Sequence, residues 1–225
     1  MGEQLRLYSY WRSSAAYRVR IGLNLKGLDY ETVPVHLVRD GGEQHHADYA
    51  TLNPQRLVPT LVHGERVVRQ SLAILEYLDE TWPSPQLLPM AARDRARVRG
   101  MAQLIASDIH PLNNLRVLRY FEDAWRISQS RRDQWVRHWI NEGFTALEAL
   151  LHGDPATGTY CHGQAPGLAD CCLVPQVFNA RRFKVDMAAF PTISRIDAAC
   201  QELPAFIDAR PDRQPDAAEP VGGRR

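Results

Sequence analysis

The chain of 225 residues is 44% hydrophobic and 24% charged, with a formal net charge of only +1, a make-up suited to a water-soluble globular protein with one large or two small cores. That charge gives no electrostatic case for nucleic acid or an anionic membrane. No run approaches the ~18 apolar residues of a membrane span, and MGEQLRLYSYW lacks the basic start and apolar centre of a signal peptide, so a cytosolic protein with no membrane partner is expected. Cys161, Cys171, Cys172 and Cys200 show no CxxC spacing and the eight histidines no ligand spacing, which argues against a metal site or a disulfide framework.

Leu5, Leu7 and Ser9 alternate with Arg6, Tyr8 and Tyr10, predicting a short strand that stops near Trp11. From Ala15 the apolar period lengthens. Ala15, Val19, Gly22 and Leu23 form one helical stripe, Ile21 and Leu25 a second, and Gly27 stands where a helix-ending glycine belongs. Between strand and helix lie Ser13 and Ser14, good cap residues at a point where the first backbone N–H groups lack intrahelical partners. Such an N-terminus stabilises a phosphate, a carboxylate or a thiolate, although serine also caps many ordinary helices.

Residues 30–37, YETVPVHL, alternate as a second strand, which Pro34 confines to a sheet edge or an early end. The strand–helix–strand unit implies a right-handed crossover and parallel pairing. Residues 39–54 are polar and turn-rich and predict a surface loop, with His45-His46 as a solvated pair. Residues 59–62 and 66–69 predict a hairpin turned at Gly64-Glu65, and Pro59 at the strand entry is a candidate for a cis peptide. Ser71 is expected to cap a helix over residues 71–82, with Leu72, Leu75 and Leu78 on one face.

The order βαβ, loop, ββα is that of a thioredoxin-like fold, here over residues 1–83. After the Pro-rich stretch 83–90 no strand pattern returns. Helices are predicted over residues 93–114, 131–151 and 168–183, the last kinked at Pro175, and shorter ones over 191–202 and after Pro204. Trp135 and Trp139 read as core residues. Residues 90–212 therefore form an all-helical domain, and the Pro-, Gly- and charge-rich residues 213–225 a disordered tail.

Four motifs then stand in register across the chain: SSxxxRVRI from Ser13, NPxxxVPTL from Asn53, QSxAILEYL from Gln70 and LADxxLVPQ from Leu168. With a thioredoxin-like domain followed by a helical one, this pattern resembles the cytosolic glutathione transferases, specifically the zeta class, over nearly the whole chain. The resemblance implies glutathione as cofactor and a homodimer. It implies cis–trans isomerisation of a small dicarboxylate diketo acid, maleylacetoacetate to fumarylacetoacetate in aromatic amino acid catabolism. The alternatives are maleylpyruvate as substrate, a general glutathione transferase, or a noncatalytic scaffold of the same fold.

Carried over by motif, the resemblance makes Ser13 the catalytic serine, with Ser14 and Arg12 beside it. It assigns glutathione binding to Ser13, Ser14, Gln44, Val58, Pro59, Gln70, Ser71, His110 and Asn114, and the substrate carboxylates to Arg12, Arg116 and Arg182, with no metal. Gln70 and Ser71 match the γ-glutamyl end, Val58 the cysteinyl backbone, Gln44 the glycyl end. Guanidinium forks suit carboxylates, while Arg116 and Arg182 taken alone read as solvated surface residues. Two departures from the class pattern stand out. Ala15 and Ala16 replace residues that commonly carry a thiol or hydroxyl, which concentrates the activating role on Ser13. Gly167 replaces the usual Ser or Thr ahead of Asp170 in a capping box, a cost of only a few tenths of a kcal/mol.

Overall fold

The computed structural model describes residues 4–218. Its backbone falls into two units, one built from residues up to Leu87 together with those from Glu202 onward, the other from Leu88–Gln201.

The first unit is a four-stranded sheet with helices packed on it. Strands β1 (Leu5–Ser9), β2 (Glu31–Pro34), β3 (Thr60–His63) and β4 (Arg66–Arg69) lie in the order β2-β1-β3-β4. β1 and β2 are parallel, joined through helix α1 (Ser14–Leu25), and β3 runs antiparallel to both β1 and β4. The expected βαβ–ββα order is present. Alternate strand residues Leu5, Leu7 and Leu61 meet Val19 and Leu23 of α1 and Ile74 and Leu78 of α3 (Ser71–Thr81) in one core. Gly22 is where α1 and α3 approach closely: a Cβ there would lie 2.1 Å from Leu75 Cδ2. Lys26, buried at the end of α1, bonds Asp79 at 2.5 Å, the carbonyl of Trp82 at 2.7 Å and that of Pro85, tying three segments together.

Three expectations are corrected in this unit. Residues 39–54 are not an irregular loop: short 3₁₀ turns at Arg39–Gly41 and Glu43–His45 lead into helix α2 (Ala47–Leu52), and Gln44 and Tyr49 are buried. Ser71 does not cap α3; Gln70 holds the cap position and Ser71 is the first helical residue. The segment after residue 202 belongs with the sheet, not with the helical domain of residues 90–212, and order continues past residue 212. Helix α9 (Pro204–Asp208) is followed by 3₁₀ turns at Pro211–Arg213 and Pro215–Ala218, with Gln214 donating to the carbonyls of Asp208 and Arg210. Polar composition suggested disorder here, but side-chain bonds to backbone hold the segment. Of the predicted tail, residues 219–225 lie outside the described residues.

The second unit contains α4 (Ala92–Gln103), α5 (Leu115–Trp125), α6 (Gln129–Leu151), α7 (Leu168–Arg182) and α8 (Pro191–Gln201). Its core includes Val98, Met101, Ile105, Ile109, Val136, Ile140, Phe144, Leu147, Ile193 and the almost wholly buried first two-thirds of α7. The predicted helix 93–114 is divided: α4 ends at Gln103, widens to a π turn over Leu104–Ile109 and tightens to a 3₁₀ turn over His110–Asn113, where Pro111 has no N–H to donate. The π turn meets α6 at Gly143, where a Cβ would lie 2.3 Å from Ile109. Helix α5, absent from the sequence reading, begins on Asn114, whose side chain accepts from Arg116 N at 3.1 Å. Trp135 and Trp139 are half-buried in an aromatic row with Phe121, and Trp135 Nε1 donates to the carbonyl of Leu112.

At the start of α7, Gly167 has no side chain to cap with, yet half of the capping box remains. Asp170 accepts from Gly167 N at 2.8 Å and from Cys161 N at 2.9 Å. Burial raises its carboxyl above the ordinary range, against these hydrogen bonds, which lower it. Cys161, Cys171, Cys172 and Cys200 are free and buried. Among the described residues no helix is long and apolar enough to cross a membrane, and no cluster of His, Cys, Asp and Glu could hold a metal ion.

Candidate active site

Four segments of the first unit leave the same end of the sheet. β1 runs out through Ser9 into residues 10–13, and parallel β2, whose Pro34 pairs with Ser9, runs out into the turn that carries Gln44. Antiparallel β3 enters from Val58-Pro59 at that end, and β4 leaves there into Gln70-Ser71, since Thr60 pairs with Arg69. The sheet register thus gathers Arg12, Ser13, Ser14, Gln44, Val58, Pro59, Gln70 and Ser71 beyond one edge. Sequence distance alone could not show this.

Ser13 is the N-cap of α1, and its Oγ accepts from Ala16 N at 3.2 Å. With the oxygen accepting from the helix, the hydroxyl hydrogen stays available to an anion at the helix N-terminus. Ser14 is the first residue of α1 and half-buried. Ser13 N donates to Tyr10 O at 2.9 Å, closing the turn 10–13. Arg12 is half-buried within that turn, its guanidinium 5.6 Å from the Trp11 ring centroid.

At α3, Gln70 adopts φ 72°, ψ 121°, a left-handed conformation that costs a non-glycine residue about 1–3 kcal/mol and concentrates at functional sites. The Gln70 side chain bonds Gln55 at 2.9 Å. Ser71 is buried, and its Oγ accepts from Arg18 Nη1 at 3.2 Å. A hydroxyl that accepts from an arginine keeps its own hydrogen for an acceptor in front of it. Arg18, only 2% exposed, therefore supports the site from behind. Sequence reasoning passed over it, although the Arg of the RVRI motif was on display.

The Val58–Pro59 peptide is cis, as its strand-entry position suggested. Both residues are buried. The preceding carbonyl, that of Leu57, accepts from Asn53 Nδ2 at 2.7 Å and Tyr49 Oη at 2.5 Å, so the NP of the second motif braces the cis turn. Gln44 is placed by Glu43, which receives His36 N at 2.7 Å, and by His36 Nδ1, which receives Arg39 N at 2.7 Å. Gly42, at φ 111°, allows the Gln44 amide to pack where a Cβ would stand 2.4 Å from it. Gln44 Oε1 is buried without a hydrogen-bond partner among the described residues, and an unmatched buried acceptor of this kind is what a ligand N–H would satisfy.

In the second unit, His110, Asn114 and Arg116 occupy one short stretch where the 3₁₀ turn passes into α5. Asn114 Oδ1 is committed to the cap of α5. Arg116 is exposed at the start of α5, not near the end of a first long helix as the sequence suggested. Arg182 is the exposed last residue of α7, its guanidinium 5.1 Å from the Phe183 ring centroid.

Residues 3–80 match the family described as the N-terminal domain of glutathione S-transferase. The chain is 53% identical over 213 residues to a probable maleylacetoacetate isomerase of Vibrio cholerae, a match covering 95% of this chain and 98% of that one. It superposes with a TM-score of 0.92 and 48% identity on the holo structure of a maleylpyruvate isomerase, described as a bacterial zeta-class glutathione transferase, over 95% of this chain and 100% of the other. A maleylacetoacetate isomerase from Anaeromyxobacter dehalogenans, solved with glutathione in its active site, matches with a TM-score of 0.84 and 45% identity over 96% and 99% of the two chains.

Proposed function

As the chain belongs to the zeta class of the glutathione transferases, we propose that it is a glutathione-dependent isomerase converting maleylacetoacetate to fumarylacetoacetate in aromatic amino acid catabolism. It works in the cytosol as a homodimer. The observation that carries the reading is the Ser13 hydroxyl, held as the cap of α1 with its oxygen engaged by Ala16 N. The remaining residues fit glutathione. Ser71 offers a hydroxyl at the N-terminus of α3 to a carboxylate, the strand-entry backbone at Val58 suits an extended peptide, and the unmatched Gln44 Oε1 suits an amide N–H.

Bound glutathione supplies a thiolate that adds reversibly to the cis double bond, so that the bond can rotate before the thiolate leaves. Ser13 serves that chemistry by donating to the sulfur. A free thiol has a pKa near 8.5, and lowering it by about two units takes roughly 2.7 kcal/mol of preference for the thiolate. One charge-assisted hydrogen bond plus the helix N-terminus is of that order. Ala15 and Ala16 offer no further hydroxyl. Arg12, Arg116 and Arg182 hold the substrate carboxylates and the negative charge that develops between them. The same thiolate would conjugate small uncharged electrophiles at a lower rate.

A second reading, maleylpyruvate as physiological substrate, is favoured by the similarity to a solved maleylpyruvate isomerase. Assaying maleylacetoacetate and maleylpyruvate side by side, with and without glutathione, tests both. A higher kcat/KM for maleylacetoacetate is the expected result, a preference for maleylpyruvate would favour the second reading, and no isomerisation of either would leave a transferase or scaffold of this fold.

A further inference from the structure

The turn that presents Ser13 cannot satisfy its own backbone. In the four-residue turn 10–13 the closing bond runs from Ser13 N to Tyr10 O, which leaves the N–H and C=O of Trp11, inside the turn, without local partners. Both are met from elsewhere. Trp11 N donates to Asp216 Oδ2 at 2.8 Å, and Trp11 O accepts from Arg20 Nη2 at 3.1 Å. The same guanidinium donates through Nη1 to Ser9 Oγ at 3.1 Å and through Nε to the carbonyl of Ala209 at 2.9 Å. Arg20 is fully buried and Asp216 5% exposed. Burial pulls Arg20 down to about 10, with the nearby Asp216 carboxylate opposing the shift, so it stays a cation at neutral pH.

We propose that Asp216 and Arg20 are positioning residues for Arg12 and Ser13, and that residues 209–216 form a strap from the end of the chain that sets the catalytic turn. The geometry is specific. The carboxylate takes the N–H on one side of Trp11, the guanidinium takes the C=O on the side that joins Arg12, and the guanidinium is fastened in turn to the strap. Both side chains are buried and bond the backbone of the turn. Each acts by fixing the peptide from which Arg12 and Ser13 project, and a displacement of the Ser13 hydroxyl by a fraction of an ångström would weaken its hydrogen bond to a thiolate. Asp216 lies in a polar, proline-rich stretch with no periodic pattern, so composition does not reveal the role.

This inference rests on the proposed role of Ser13, and its test separates the two. Asp216→Ala, Asp216→Asn and Ser13→Ala are compared by kcat, by the pH at which half of the bound glutathione thiol is ionised, read from thiolate ultraviolet absorbance, and by affinity for S-methylglutathione, which has no thiol. Asp216→Ala is expected to raise the half-ionisation pH by about one unit and to lower kcat about tenfold, with S-methylglutathione affinity changed less than about threefold. Asp216→Asn, which keeps an acceptor for Trp11 N, is expected to restore both to within about threefold of the parent. If Ser13→Ala moves the half-ionisation pH and Asp216→Ala does not, or if Asn is as damaging as Ala, the strap has no positioning role. If neither Ser13→Ala nor Asp216→Ala moves it, the reading of Ser13 falls and this inference with it. Should Asp216→Ala fail to fold, Asp216→Leu in the full chain fills the volume of the side chain without an acceptor for Trp11 N and carries the same expectations.

Discussion

Two pairs of arginines, one pair in each unit, serve in opposite ways. In the first, Arg18 and Arg20 of α1 are 2% and 0% exposed, and their guanidinium groups bond Ser71, Ser9 and backbone carbonyls. In the second, Arg116 and Arg182 stand exposed at helix ends. Burial decides the difference. A desolvated guanidinium must have its donors met by fixed acceptors, so it becomes part of the scaffold and shapes the turns that bind. An exposed one keeps its charge and its reach for an anion in solution, and contributes little to stability. The turns proposed to bind glutathione are thus held from within, whereas the proposed substrate contacts come from exposed side chains.

The largest effect that would break this contrast is on stability. Arg20→Met leaves three oxygens, on Ser9, Trp11 and Ala209, without their donor and is expected to cost about 3–5 kcal/mol in urea unfolding. Arg116→Met should remain within about 0.5 kcal/mol. Equal costs at the two positions would abolish the distinction.

Next in size is the hydroxyl itself. Ser13→Ala is expected to lower the isomerisation rate roughly ten- to a thousand-fold, the loss of one to two charge-assisted stabilising interactions. Steady-state kinetics at saturating glutathione measures it, and a larger loss in Ser14→Ala would move the activating role to the neighbouring serine.

The exposed arginines should separate substrates. Arg116→Ala and Arg182→Ala are each expected to reduce kcat/KM for the dicarboxylate by more than about thirty-fold, equivalent to roughly 2 kcal/mol, with much smaller losses in conjugation of an uncharged electrophile. Equal losses on both would assign the arginines to glutathione or to the fold, and unchanged kinetics would make them ordinary surface residues.

The smallest expected effect lies at the start of α5. Asn114→Ala removes the side-chain acceptor for Arg116 N and should cost about 1 kcal/mol. If Arg116 acts from a helix end held by this cap, kcat/KM for the dicarboxylate should fall in the same variant while thermal unfolding shifts only slightly.

Much of the first unit could be read from periodicity and punctuation. The alternation around Leu7, the stripe through Val19 and Leu23, Gly27 at φ 63° and the hairpin turned at Gly64 correspond to the observed strands, helix and turns, because each depends on interactions between residues close in sequence. The same local logic offered Ser13 and Ser14 as cap residues and Pro59 as a candidate for a cis peptide, and the family motifs singled out Ser13 and the cis form that the structure has. It failed where local pattern is weak or polar. Helix α2 reads as loop because it is six residues long with a single buried side chain, Tyr49, too short to show a helical stripe. Helix α5 goes unread although Leu115, Leu118, Phe121 and Trp125 stand at helical spacing, because the expected helix over 93–114 ends just before it and no period is assigned to the residues that follow. The helix 93–114 hid a π turn, since the register shift answers to packing of Ile109 on Gly143.

By itself, then, the chain determined its periodic elements, its caps and turns, and the motifs by which it belongs to its family, all matters of propensity and short spacing. Only the tertiary structure decided that Arg18 and Arg20 are buried, that Ser71 starts α3 without capping it, and that the polar segment ending in Asp216 closes onto Trp11. Those outcomes depend on which distant acceptor meets each donor once water is excluded. Asp216 and Trp11, 205 residues apart, become partners because a half-buried N–H with no local partner needs an acceptor and the fold brings that one within reach.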